Sequence, residues 1–213
     1  MHAWIKRSAK VIAIVVGLFG FGVESEAVVV FSENFETVSP GKYVGPGLTV
    51  GQFDLVSGSV EVFPTSSPPC STAGDSTKCV NLDGGQPPTG TSGATLRASL
   101  SPGTYDLSFD LAGSQSNDTN TTRLFFGEIS NLPITRAPNA PFTTLQFTAT
   151  VTAANPFLVF FQEGSDGAGN LLDNVVVSTH VPEPATILLM FTGLAGFSLS
   201  RRIRHNRSNR RIG

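Results

Sequence analysis

Thr104-Tyr105-Asp106-Leu107-Ser108-Phe109-Asp110-Leu111 alternates strictly between apolar and polar residues. Tyr105, Leu107, Phe109 and Leu111 fall on one face and Asp106, Ser108 and Asp110 on the other, because successive strand side chains point to opposite sides. This period of two marks a half-buried antiparallel strand. Such a strand needs sheet partners and a second apolar layer over its inner face. Thr144–Val151 repeats the alternation. The Pro102-Gly103 pair before the first run is a turn signal.

The rest of the region between 28 and 179 fits the same plan. Val28–Phe31 starts a strand, and Gly41, Gly45, Pro46 and Gly47 mark a loop. Strand-like runs follow at Leu48–Val56 and Ser59–Phe63. Pro64–Ser76 is rich in Ser, Thr and Pro and belongs on the surface. Val80–Asp83 is a short strand, Gly84–Gly93 a Gly/Pro-rich connection, and Ser114–Thr122 a polar loop. Arg123–Gly127 resumes the sheet. Phe157-Leu158-Val159-Phe160-Phe161 is apolar throughout, as in a central strand covered on both faces, and Leu171–Val177 is the last strand. No convincing apolar period of 3.6 occurs in this region. The fold class expected is all-β, a β-sandwich or jelly roll.

Both ends carry targeting features. Lys6, Arg7 and Lys10 precede an apolar run from Val11 to Val23, and Ser25-Glu26-Ala27 supplies the small residues read by a signal peptidase. Residues 1–27 therefore read as a signal peptide helix cut after Ala27. At the other end Val181-Pro182-Glu183-Pro184 leads directly into an apolar run, Ala185–Ser200, and then into Arg201, Arg202, Arg204, Arg207, Arg210 and Arg211. Each proline fixes φ and lacks an N–H, so the four residues of the motif are extended and unpaired, as suits a protease cleft. The 16-residue run is slightly short of the ~20 that cross a bilayer. Snorkelling of Arg201 and Arg202 makes up part of the difference. The six arginines hold their side in the cytoplasm.

These residues resemble the tripartite sorting signal of PEP-CTERM proteins over 180–213: motif 181–184, transmembrane helix 185–200, cytoplasmic tail 201–213. The resemblance implies recognition and cutting by an exosortase of the inner membrane of a Gram-negative bacterium. It also implies delivery to the cell surface or extracellular matrix, in association with exopolysaccharide or biofilm. An uncut inner-membrane anchor is the alternative.

Without these ends the charge changes. Between 28 and 180 there are 5 cations and 13 anions, a net −8 against −2 for the whole chain. Nucleic acid is excluded as a partner on this ground, since affinity there rests on Lys and Arg against phosphate. The two cysteines, Cys70 and Cys79, read as a disulfide in an exported chain. Closing a loop of this size stabilises by roughly 2–3 kcal/mol. Asn117 and Asn120 begin N-glycosylation sequons, which read more simply as a solvated loop.

Asn34-Phe35-Glu36, Gly103–Phe109 and Leu172-Asp173-Asn174-Val175 look like the galactose-binding-like jelly roll. That resemblance spans most of 31–178 and implies a structural calcium with Glu36 and Asp173 as matching ligands. Calcium takes 6–8 oxygens, many from backbone carbonyls. The other reading is a loop Glu and an Asp at a strand end.

Sugar binding needs an aromatic platform. Trp4 leaves with the signal peptide, Tyr105 points inward, and most of the twelve phenylalanines of 28–180 sit at strand positions suited to the core. Tyr43, in its glycine-rich loop, is the stacking candidate. Catalysis has few parts: His180 is the only histidine of the region and no cysteine is left free. The reading is a non-catalytic exported surface or matrix protein. Its alternatives are a calcium-dependent carbohydrate-binding module and a small polysaccharide hydrolase.

Overall fold

The computed structural model of the chain describes residues 26–74, 77–84, 93–164 and 166–181. Glu26–Val181 form one compact unit. The expected signal peptide up to Ser25, the Ala185–Ser200 run, Pro182–Pro184 and the arginines from Arg201 to Arg211 lie outside the described residues. No described helix is long and apolar enough to cross a membrane.

The unit is all-β. Its strands are β1 (Val29–Glu33), β2 (Gly41–Val44), β3 (Leu48–Val50), β4 (Phe53–Ser57), β5 (Ser59–Val62), β6 (Val80–Asn81), β7 (Thr95–Ser99) and β8 (Gly103–Ala112). The second half adds β9 (Asn120–Phe126), β10 (Ile129–Arg136), β11 (Thr143–Val151), β12 (Phe157–Gln162) and β13 (Leu171–Thr179). A single short helix, α1 (Pro68–Thr72), stands between β5 and β6 among the described residues.

Two antiparallel sheets face each other. One runs β11-β8-β13-β6-β5-β2, with β1 also paired to β13; the other runs β10-β9-β12-β7-β4-β3. The two alternating runs are neighbours: β11 pairs with β8 from Thr143↔Leu111 to Val151↔Gly103 without a shift. Their apolar faces point inward as the period of two requires, burying Tyr105, Leu107, Phe109, Leu111, Ala149 and Val151. Strand β13 serves two partners on one edge, β6 at Leu171–Leu172 and β1 at Val175–Ser178. A bulge between Asp173 and Val176 separates them, with Asn174 at φ 49°. Asn tolerates that left-handed conformation better than most residues.

Phenylalanines tie the layers together. Phe31 and Phe35 meet Phe53 at 5.0 and 6.2 Å, Phe53 meets Phe160 at 6.0 Å, and Phe160 meets Phe109 at 4.9 Å. The edge-to-face contacts match the quadrupole preference of aromatic rings. Phe35, Phe53, Phe109 and Phe160 are all fully buried. Each such side chain contributes roughly 1.5–3 kcal/mol of burial.

Four expectations change. The glycine-marked loop contains β2, whose Gly41–Val44 pair with Val62–Ser59. Leu48–Val56 is a hairpin rather than one strand, turning at Gly51-Gln52 between β3 and β4. The polar loop ends early, because β9 starts at Asn120 and turns Asn120 and Thr122 inward. Pro64–Ser76 holds α1, with proline in its first turn where a missing N–H costs nothing. That segment is not wholly on the surface, since Cys70 and Ala73 join Cys79, Ala112 and Leu171 in a second small core.

Candidate functional site

Strand β12 lies between β9 and β7, and its inward residues Leu158, Phe160 and Gln162 are buried. Phe157, Val159 and Phe161 point the other way and are half-buried, so the expectation of cover on both faces fails on the outer one. Phe125 on β9 stands opposite Val159 and extends the apolar strip. Leu158 pairs with Phe126, which places Gly127 across from Phe157. Gly127 has φ 57°, and a Cβ there would stand 2.3 Å from the Thr150 carbonyl oxygen. A groove of about 410 Å³ lies at the β9–β10 turn, lined by Phe125, Ile129, Phe157, Val159 and Phe161. Thr95, Ser130 and Asn155 supply its polar edge.

Charged residues frame the strip. The Arg97 guanidinium lies 4.9 Å from the Phe157 ring centre and 3.6 Å from Asp54. Arg123 pairs with Glu163 and donates to Asn131 Oδ1 at 2.9 Å. Asp54 and the Phe157 ring hold Arg97 over the aromatic face.

The opposite outer face, on the β8-β11-β13 side, is polar. A shallow depression there is lined by Asp106, Ser108, Gln146, Thr148, Val176 and Ser178. The Thr148 hydroxyl donates to Asp106 Oδ1 at 2.6 Å, and Thr144 donates to Asp110 Oδ1 at 2.5 Å. The Thr148 bond is the largest cause that holds the Asp106 carboxyl below its ordinary range; burial opposes it less strongly, and His180 adds to the lowering.

A buried polar cluster braces β9 against β12. The Thr122 hydroxyl donates to Gln162 Oε1 at 2.8 Å, Gln162 Nε2 donates to Asn120 Oδ1 at 3.1 Å, and Asn170 Nδ2 donates to Thr122 Oγ1 at 2.9 Å. Nearby, a hydrogen bond from Ser116 holds the Asp118 carboxyl below its usual range.

The residues singled out by sequence are dispersed. Tyr43 sits on β2 with its ring half-buried against the main core, and its hydroxyl donates to the Ser39 carbonyl at 2.8 Å. It stands apart from the aromatic strip, which sequence reasoning assigned to the core. Ala27 is exposed just before β1, beside Val28, whose N–H donates to Thr179 Oγ1 at 2.9 Å. Cys70 and Cys79 form the expected disulfide, with Cα atoms 5.9 Å apart. Val181 lies beyond the end of β13.

Glu36 and Asp173 are linked through adjacent residues. Lys78 N–H donates to Glu36 Oε1 at 2.7 Å, and Thr77 Oγ1 donates to Asp173 Oδ2 at 3.2 Å. The Lys78 ammonium donates to the carbonyls of Glu36 at 2.5 Å and Val38 at 3.0 Å. Those oxygens are the donors a calcium ion would need, and a lysine already engages them. The set does not fit the ion. Among the described residues, no group of three His, Cys, Asp or Glu side chains is placed to hold a metal.

No curated protein matches the chain. Among solved structures it is similar to the K3 cleaved adhesin domain of Lys-gingipain from Porphyromonas gingivalis, at 18% identity and TM-score 0.44 over 71% of this chain and 100% of that one. A family 35 carbohydrate binding module from Clostridium thermocellum gives 15% identity and TM-score 0.43 over 73% and 100%. The CBM22-1 xylan-binding domain of Xyn10C from Paenibacillus barcinonensis gives 11% and 0.40 over 73% and 97%. Residues 180–202 match the PEP-CTERM protein-sorting motif, so the all-β unit of this chain is joined at His180 to the sorting signal of an exported protein.

Proposed function

We propose that this chain is a non-catalytic exported surface protein that binds neutral glycan chains along the outer face of β9, β12 and β7. An exosortase recognises Val181-Pro182-Glu183-Pro184 and releases the unit from its membrane segment, leaving it in the exopolysaccharide around the cell. The observation that carries the binding reading is the row of half-buried Phe125, Phe157 and Phe161 beside the groove at Gly127. Sugar rings present C–H faces that lie against aromatic rings, while Thr95, Ser130 and Asn155 are placed to exchange hydrogen bonds with hydroxyls. Concave sites with apolar walls and a few polar groups are the usual form of a binding pocket. The net −8 between 28 and 180 disfavours polyanions and suits neutral polymers.

The non-catalytic reading rests on the state of the nucleophile and base candidates. Both cysteines are in the disulfide, and His180, the histidine among the described residues, is tied to Asp106 on the polar face rather than at the groove. Affinity electrophoresis of the full chain in gels containing neutral or anionic polysaccharides tests the proposal. Retardation by a neutral polymer is expected, lost in Phe157→Ala/Phe161→Ala. Equal mobility in every gel, or release of reducing ends from the polymer, overturns it.

A further inference from the structure

We propose that Lys78 is this domain's built-in cation: its ammonium holds the Glu36 and Val38 carbonyls in place of a divalent ion, and makes the fold independent of calcium. The donors are defined. Lys78 Nζ reaches the Glu36 carbonyl at 2.5 Å and the Val38 carbonyl at 3.0 Å. The backbone of the same residue caps the Glu36 carboxylate at 2.7 Å. Its neighbour Thr77 reaches Asp173, which is fully buried at the β13 bulge. The next residue, Cys79, is also fully buried and is cross-linked to Cys70. The lysine is therefore delivered from a fixed backbone.

An ammonium offers three hydrogens and no acceptor, so it satisfies carbonyl oxygens as a small cation does. A calcium ion needs its oxygens at 2.3–2.6 Å, about the same distance at which the ammonium meets the Glu36 carbonyl. The two cannot share these oxygens. Lysine brings one positive charge to the Glu36 and Val38 carbonyls. It has no competitor in solution, since it is covalently present at every metal concentration. A calcium-held version of this loop would come apart when the metal is withdrawn. The lysine-held version does not respond to that change.

The test is thermal unfolding of the full chain in calcium and in chelator, for the wild type, Lys78→Met and Lys78→Arg. Methionine keeps the apolar stem and removes the charge, uncovering the two carbonyls. The expected result is one melting temperature for the wild type in both buffers. Lys78→Met should melt lower in chelator and regain at least half of that loss in calcium. Lys78→Arg, which keeps a cation, should remain indifferent to calcium.

Two results overturn the proposal: a calcium-dependent rise in the wild-type melting temperature that Asp173→Asn abolishes, or a Lys78→Met protein that calcium does not stabilise. Should Lys78→Met fail to fold in chelator, its recovery from denaturant in calcium against magnesium decides the same question. Selective recovery in calcium supports the proposal, and none in either overturns it.

Discussion

His180 Nδ1 lies 2.9 Å from Asp106 Oδ1 and 3.0 Å from Oδ2, joining the first residue of the sorting segment to the middle of the β8–β11 face. The Thr148 hydroxyl shares that carboxylate and is the larger cause of its lowered pKa, with His180 behind it. A carboxyl lowered in the folded state stabilises it above the unfolded-state pKa of ~3.9, and that contribution is lost as the pH falls through the folded value.

Asp106 is 43% exposed on its side chain, so solvent screening limits the contribution to about 1 kcal/mol or less. Asp106→Asn should therefore be less stable than wild type at neutral pH, and the gap should close under acid. Urea midpoints at pH 7 and at about pH 3 check this, with Thr148→Val expected to reproduce more of the loss than His180→Gln. A gap of equal size at both pH values means the carboxylate charge is not its source.

Glu33 was not singled out by any motif, yet it organises the turn between β3 and β4. The residue is 6% exposed, with Oε1 accepting from Phe35 N–H at 2.6 Å and Oε2 from Gln52 N–H at 2.7 Å. Gly51 makes room for it at φ 61°, where a Cβ would stand 2.1 Å from Oε2. Gly51→Ala combines left-handed strain with displacement of two hydrogen bonds and should cost roughly 1–3 kcal/mol. Glu33→Ala leaves both amides without this acceptor and should cost a similar amount. In the double variant the collision is gone, so the sum of the single losses should exceed the measured loss. Strict additivity in chemical denaturation means the two residues are not coupled.

Local pattern carried much of this fold. The alternation in β8 and β11 predicted both strands and their inner faces, and two cysteines in an exported chain predicted their bridge. What escaped depends on distant partners. Strand β10 includes Pro133 and breaks its register at Asn131, φ 63°; it survives because an edge strand pairs on one side only. Strand β2 looked like a loop because it starts at Gly41 and is followed by Gly45, and its partner is the distant Ser59–Val62 of β5.

The aromatic strip was hidden for a different reason. In a continuous apolar run, sequence cannot say which of two faces a second layer covers. The reach of Lys78 back across 40 and 42 positions to Val38 and Glu36 has no local signal at all.

Phe157 and Phe160 separate binding from stability within one strand. Phe160 is fully buried between Phe53 and Phe109, so Phe160→Ala should cost about 3–5 kcal/mol. Phe157 faces the groove under Arg97, and Phe157→Ala should cost roughly 1 kcal/mol or less through lost stacking. In polysaccharide binding the order reverses. Loss of the groove ring should weaken retention about tenfold, the scale of one aromatic contact. Parallel melting and affinity-gel measurements check the pair. A Phe157→Ala protein that melts like Phe160→Ala places that ring in the core and removes it from the binding face.

The sorting motif begins where the sheet's hydrogen bonding stops. His180 N–H donates to the Thr104 carbonyl at 3.0 Å, and Val181 follows outside any strand. Pro182 and Pro184 have no N–H to extend the ladder, and each keeps its preceding residue out of the helical region. Intact mass of surface-extracted protein should lack Arg201–Gly213. Pro182→Ala/Glu183→Ala should retain that tail and stay in the membrane fraction, while melting as the wild type does, because both positions follow the compact unit Glu26–Val181. A wild-type surface form that keeps its arginines would show that the segment anchors the protein without being cut.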